Sequence, residues 1–183
     1  MISAPLIQEC KQQNARAQRQ LFDHLFPWLM GICNRYLTPT SAAEDAVMQS
    51  FLKIFQHINT FQYSTEAAFK QWCKTIVVNT CLMELRKTQV LYAISDITTD
   101  ETVPNQALDK LELSYLYQLI TTLPTGYRTV FNLYCVEGYT HAEISELLGI
   151  SEGTSKSQLA KARKILQSSI TKNNTIYGTA NQR

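Results

Sequence analysis

Apolar residues recur at helical spacing through most of the chain. Leu21, Phe22, Leu25, Leu29, Ile32, Cys33 and Tyr36 form one stripe, and Val47, Phe51, Ile54, Phe55 and Ile58 form a second. Phe69, Trp72, Cys73, Ile76, Val77 and Thr80, running on toward Arg86, form a third. Each stripe predicts an amphipathic helix. Pro27 lies inside the first and predicts a kink or a break there. The second carries a start signal, Ser41 followed three residues later by Glu44, which is the spacing of a capping box. No stretch sustains two-residue alternation, so no sheet is predicted and the fold class reads as all-α.

The pattern dissolves at residue 88. Residues 89–109 hold Asp96, Asp100, Glu101, Asp109 and Pro104 among Ser, Thr and Asn, with no basic residue. A structureless run of this length argues against a place inside one compact domain. It reads as a tether between two domains, or as a segment that orders on a partner. The chain therefore divides into a helical domain over 1–87, a flexible acidic linker over 88–109, a second small helical domain over 110–170, and a polar tail over 171–183 that is expected to fray.

The second domain has the more specific local pattern. Thr140 and Glu143 form another capping box, and Ile144, Leu147 and Leu148 give the helix that follows one apolar face. Gly149 stands where a left-handed cap is needed, and Ser151 can cap the next helix. Two helices joined by a short glycine turn make a helix-turn-helix. At 100° per residue, Ser155, Leu159, Ala162 and Leu166 fall within about 60° of one another as a buried face. Ser157, Ala160, Lys161 and Lys164 fall opposite, flanked by Thr154 and Lys156, and residues 153–166 contain four basic and no acidic side chains. Such a helix suits the major groove, with lysines on phosphates and polar N-terminal residues at base edges. A solvated basic face on an ordinary helix pair is the plainer alternative.

Charge and composition sharpen this division. The formal net charge is only +2, yet residues 1–87 carry +3, 88–110 carry −3 and 111–183 carry +2. No apolar run is long enough for a membrane span, and the N-terminus has neither the basic nor the apolar region of a secretory signal. Five cysteines with no C-x-x-C make a disulfide framework or a zinc site a poor fit, so a cytoplasmic protein without a metal is expected. His24, His57 and His141 are isolated and no glycine-rich phosphate loop occurs. Neither a catalytic residue nor a cofactor is expected.

The segment from Tyr139 to Leu166 resembles the final domain of bacterial RNA polymerase sigma factors of the extracytoplasmic-function (ECF) type, with Ser145 for a usual Ala and Gln158 for a frequent Arg. Leu123-Pro-Thr-Gly-Tyr-Arg-Thr-Val-Phe131 resembles the segment that opens that domain. In the first domain, Leu21-Phe-Asp-His-Leu-Phe-Pro27, Ala43-Glu-Asp-Ala-Val-Met-Gln-Ser-Phe-Leu-Lys-Ile-Phe55 and the segment from Phe69 to Arg86 resemble that family's region 2. The order and spacing of the two lobes also fit.

The resemblance implies an alternative sigma factor that binds core RNA polymerase and promoter DNA and is restrained by an anti-sigma factor. It implies a polymerase-binding surface at Asp45, Met48, Gln49, Phe51 and Leu52, although Met48-Gln49 replaces the family's usual Gln-Glu. It places residues 59–68 and the following helix beside the minus-ten element, with Phe61, Tyr63, Lys70, Trp72, Lys74, Asn79, Arg86 and Lys87 as candidate contacts. Trp72 reads more readily as a core residue by its spacing, and Asn79 equally as a cap for a neighbouring chain. Arg86 and Lys87 also suit the negative end of a helix dipole. The minus-thirty-five element would meet Thr154, Lys156, Ser157, Ala160, Lys161 and Lys164. A helix-turn-helix regulator that binds an operator without polymerase, and a helical adaptor that reads no DNA, are the competing readings.

Overall fold

A computed structural model describes residues 1–87 and 112–180, with side chains at 1–87 and 116–171. The predicted linker over 88–109 lies outside the described residues. The chain divides into two compact units, Met1–Thr88 and Gln89–Arg183. Every described element is helical.

Unit 1 contains α1 (Ala4–Lys11), α2 (Ala15–Tyr36), α3 (Thr40–His57), a 3₁₀ turn (Ile58–Thr60) and α4 (Glu66–Lys87). Helices α2, α3 and α4 pack on one another, and α1 packs on α2 and the 3₁₀ turn. The three predicted stripes form the core: Leu21, Leu25 and Leu29 meet Ala43, Val47 and Ile54, with Phe69, Cys73 and Val77 from α4. Alanines at 43 and 46 let α3 approach its neighbours closely.

Three expectations change. Helix α2 continues through Pro27 without a break, because Pro27 lies on its exposed side, where water can satisfy the freed carbonyl. The Ser41–Glu44 capping box does not form. Pro39 is the N-cap and the Ala42 N–H already donates to its carbonyl at 3.0 Å, so Ser41 lies within the first turn. Helix α1 has no counterpart among the predicted stripes; the Ser3 side chain caps it, and it buries Leu6, Ile7 and Cys10.

Unit 2 contains α5 (Glu112–Thr121), α6 (Thr125–Phe131), a π-helical turn (Asn132–Val136), α7 (His141–Leu148) and α8 (Glu152–Ala180). Helices α5, α6 and α7 each pack against α8. Leu123, Ala162 and Leu166 form a core patch, with Leu119, Tyr127, Phe131 and Ile165 against it. Arg128 is buried and donates from Nη1 to the Thr121 carbonyl at 2.8 Å, closing the end of α5; burial pulls its pKa down. The tail expected to fray is helical as far as Ala180.

The Thr140–Glu143 capping box forms, and Gly149 ends α7 at φ 67°. The Thr140 N–H and hydroxyl both donate to the Glu143 carboxylate at 2.8 Å and hold its pKa below the usual range. Two helix starts with the same sequence signature therefore differ in what they do. Thr140→Ala is expected to cost about 1 kcal/mol of stability, and Ser41→Ala less than about 0.5 kcal/mol, in urea unfolding followed by circular dichroism. Because the Glu143 pKa is lowered by folding, its contribution is present at neutral pH and lost as pH falls through that lowered value. The gap between Thr140→Ala and wild type should narrow in acid.

Candidate functional site

The helix-turn-helix of unit 2 sorts its side chains onto two faces. Ser155, Leu159, Ala162 and Leu166 are buried, as the angular reading predicts. Lys156, Ser157, Ala160, Lys161 and Lys164 are exposed together on the other side, with Thr154 half-buried at the helix start. Ser151 holds that start: its Oγ accepts from the Thr154 N–H at 3.0 Å and shares a 2.9 Å bond with the Thr154 hydroxyl. Lys156 lies 3.4 Å from Glu152 one turn earlier, and the Lys161 ammonium lies 5.7 Å from the centre of the Tyr127 ring. Gln158 turns away from this face and lies against Gly126, so its departure from the frequent Arg falls on a packing contact.

Two contacts hold the start of α7, one to α8 and one to the π-helical turn. His141 Nδ1 and the buried Ser155 hydroxyl are 2.8 Å apart, and the His141 ring stacks on Tyr134 at 4.5 Å. Arg163 then lies over the same Tyr134 ring at 5.8 Å. Sequence reading named neither His141 nor Arg163 in this role, because their partners are set by packing.

In unit 1, the outer side of α3 presents Asp45, Met48 and Leu52 to solvent with Gln49 half-buried between them. Met48 is 51% and Leu52 63% exposed, so two large apolar side chains sit one turn apart in water. Phe51, predicted to belong to this surface, does not. It is 3% exposed and its ring lies 4.4 Å from that of Phe22 in the core, because it is 100° from Leu52 around the helix.

The candidate single-strand contacts separate into three groups. Trp72, Asn79 and Arg86 follow one another at seven-residue spacing, within about 40° on α4, and Asn79 and Arg86 are exposed. Lys70 and Lys74 stand on roughly the opposite side. Lys70 pairs with Glu66 at 2.8 Å. The third group is the segment before α4. Phe61 packs on Phe69 and Trp72 at 5.2 and 5.0 Å, and all three rings form one cluster with Trp72 half-buried at its edge. The Tyr63 hydroxyl donates to the Ile2 carbonyl at 2.7 Å. Lys87 at the helix end pairs with Glu84 at 2.7 Å.

Glu66 joins several of these parts. It accepts from the Ile2 N–H at 3.1 Å and lies 3.9 Å from His24 Nε2 as well as bonding Lys70. The Lys70 ammonium and the Ile2 N–H hold its carboxyl below the usual range. Cys10, Cys33, Cys73 and Cys81 are buried, and burial pushes the Cys73 thiol up to about 12, far from a reactive thiolate. Among the described residues no group of three metal-binding side chains is present, and no helix is long and apolar enough to cross a membrane.

Phe51→Ala should cost about 3–5 kcal/mol in urea unfolding. Leu52→Ala, its exposed neighbour, should change stability by less than about 0.5 kcal/mol.

Comparison with known proteins matches both units. Residues 21–90 match the family model of sigma-70 region 2, and residues 113–166 that of sigma-70 region 4. The chain is 28% identical over 175 residues to the ECF RNA polymerase sigma factor SigW of Bacillus subtilis, covering 88% of this chain and 92% of that one. It is 29% identical over 158 residues to the ECF RNA polymerase sigma factor SigM of Mycobacterium tuberculosis, covering 79% and 74%. Its fold is similar to that of the sigma factor RpoE from Bartonella quintana, solved in complex with the anti-sigma factor NepR. The TM-score is 0.51 at 21% identity, over 84% of this chain and 96% of that one.

Proposed function

The chain belongs to the ECF type of RNA polymerase sigma factors, and from that premise we propose how its parts divide the work of an alternative sigma factor. Residues 1–87 act as the region 2 domain. The outer side of α3, with Asp45, Met48, Gln49 and Leu52, is the contact with core RNA polymerase. Residues 59–68 and the Trp72–Asn79–Arg86 side of α4 take the single-stranded minus-ten element. Lys87, next to Arg86 at the end of α4, is a phosphate partner there. Lys70 and Lys74 lie on roughly the opposite side of the helix and take no part in this contact, and residues 88–109 link this domain to the next. Residues 110–170 act as the region 4 domain and read the minus-thirty-five element through Thr154, Lys156, Ser157, Ala160, Lys161 and Lys164.

The observation that carries this reading is the occurrence of both sigma-70 matches, in this order, on a chain whose α8 exposes its cations and buries its apolar side chains. The chemistry agrees with it. Drawing a base out of the stack costs a few kcal/mol, which must be regained by stacking and edge contacts. Phe61 and Trp72, the half-buried rings of the aromatic cluster, and the exposed Arg86 farther along the Trp72 side of α4 supply the types of group that capture single strands. In this reading the protein works in the cytoplasm, carries no catalytic residue and lends specificity to the polymerase that does the chemistry. An anti-sigma factor is a further partner, as one is for the Bartonella protein.

Run-off transcription with purified core polymerase tests the whole reading: a promoter-dependent transcript is expected, and its absence would sink the proposal. Lys156→Ala with Lys161→Ala should weaken promoter binding and reduce the slope of log affinity against log salt by about 2. Met48→Asp with Leu52→Asp should weaken binding to core polymerase by about tenfold or more without unfolding unit 1.

A further inference from the structure

Residues 61–65 connect the 3₁₀ turn to α4 and could by themselves take many conformations. Three hydrogen bonds from far away in sequence prevent this. Lys11 Nζ, at the end of α1, donates to the Phe61 carbonyl at 2.7 Å. The Tyr63 hydroxyl donates to the Ile2 carbonyl at 2.7 Å, and the Ile2 N–H donates to Glu66 at 3.1 Å. Of the two anchors, Ile2 is 1% exposed and Lys11 half-buried, and α1, which carries Lys11, is held by the buried Ile7 and Cys10. The chain leaves the 3₁₀ turn in an extended conformation at Phe61, with φ −79° and ψ 125°. Successive side chains of an extended segment point to opposite sides. Phe61 and Tyr63 are accordingly half-buried and Gln62 and Ser64 exposed; the alternation ends at Thr65, which is also exposed and whose Oγ1 accepts from the Ala68 N–H at 3.1 Å.

We infer that α1 and the residues before it form a brace that sets the 61–65 segment, so that Gln62 and Ser64 are presented outward as its base-reading side chains. Lys11, Tyr63 and Glu66 are positioning residues in this device and need not touch DNA. The inference rests on the proposal above that this segment meets the minus-ten element. It changes the role of Tyr63, whose hydroxyl is committed to Ile2, and it gives a task to α1.

The test is base selectivity by the holoenzyme. Wild-type chain and core polymerase would be titrated with single-stranded minus-ten oligonucleotides carrying each of the four bases at every position in turn. The readout is the ratio of dissociation constants between the preferred base and the others, with core affinity measured in parallel. Tyr63→Phe with Glu66→Ala should reduce the best ratio by about fivefold or more, as loss of ordering hydrogen bonds implies, with core affinity within about twofold of wild type. Lys11→Met keeps the apolar stem, removes only the bond to Phe61, and should act in the same direction. Gln62→Ala with Ser64→Ala should abolish the preference. If the Gln62 and Ser64 changes act and the brace changes do not, the brace is refuted and the reading of the segment stands. If the Gln62 and Ser64 changes leave every ratio within about twofold, the segment does not read bases and both fail. Equal losses of selectivity, core affinity and thermal stability in the brace variants would make their role merely structural and overturn the inference.

Discussion

A helix has one face to give to the core, and that constraint decides where the functional side chains of this chain can point. Helix α8 buries Ser155, Leu159, Ala162 and Leu166, so Lys156, Ser157, Ala160, Lys161 and Lys164 must face outward together. Helix α3 buries Ala43, Val47, Phe51 and Ile54, which leaves Met48 and Leu52 in water. Neither exposed set needs a special device to hold it in place. The exposed faces are what remains once the apolar faces have been buried, with the small residues Ala43, Ala46 and Ala162 wholly inside the contacts.

The same constraint explains what could be read from the sequence. Helices with a single buried face, α2, α3, α7 and α8, are visible as stripes, and the exposed side of α8 follows by angle alone. Helix α4 is harder. It packs on both α2 and α3 and buries residues around much of its circumference, including Phe69, Cys73, Val77, Val78, Cys81, Leu82 and Leu85. Its apolar residues therefore fix no outward direction. Motif resemblance then groups Lys70 and Lys74 with Trp72, Asn79 and Arg86, although the two groups lie on different sides. Phe51 shows the same effect on α3: a family motif is a run of consecutive residues, and consecutive residues on a helix lie about 100° apart, so such a run takes in both core and surface positions.

Local start signals were a second source of error, for a definite reason. Thr140 and Ser41 are each followed by Glu at three residues. Only Thr140 caps, because Gly138 at φ 83° and the Tyr139 N–H bond to the Leu133 carbonyl bring the chain to Thr140 in an extended conformation. At Pro39 the chain is already turning into α3, which moves the cap two residues earlier. Likewise, α1 is too short to show a convincing period, and its stability comes from burial against α2 and the 3₁₀ turn. A capping signature states what a residue can do, and the preceding backbone decides whether it does so.

Charge, finally, bounds what a single copy of α8 can do on duplex DNA. A protein that neutralises about 6–10 phosphates loses about 10³–10⁵ in affinity between 50 and 200 mM salt, and helix-turn-helix repressors bind as dimers on two half-sites, which doubles the contacts of one helix. The outward face of α8 offers Lys156, Lys161, Lys164 and the adjacent Arg163, with Lys156 already beside Glu152. Three or four phosphate contacts correspond to a loss of only about 40- to 150-fold in affinity between 50 and 200 mM salt, and to a correspondingly small electrostatic contribution to begin with. The rest of unit 2 adds little, since residues 111–183 carry a net charge of +2. A single helix with this inventory can select a site once it is held near DNA, but to find and hold one it needs added contacts from a second copy or from a protein partner. On α3, Met48 and Leu52 are exposed together, an apolar pair of the kind that a protein partner covers.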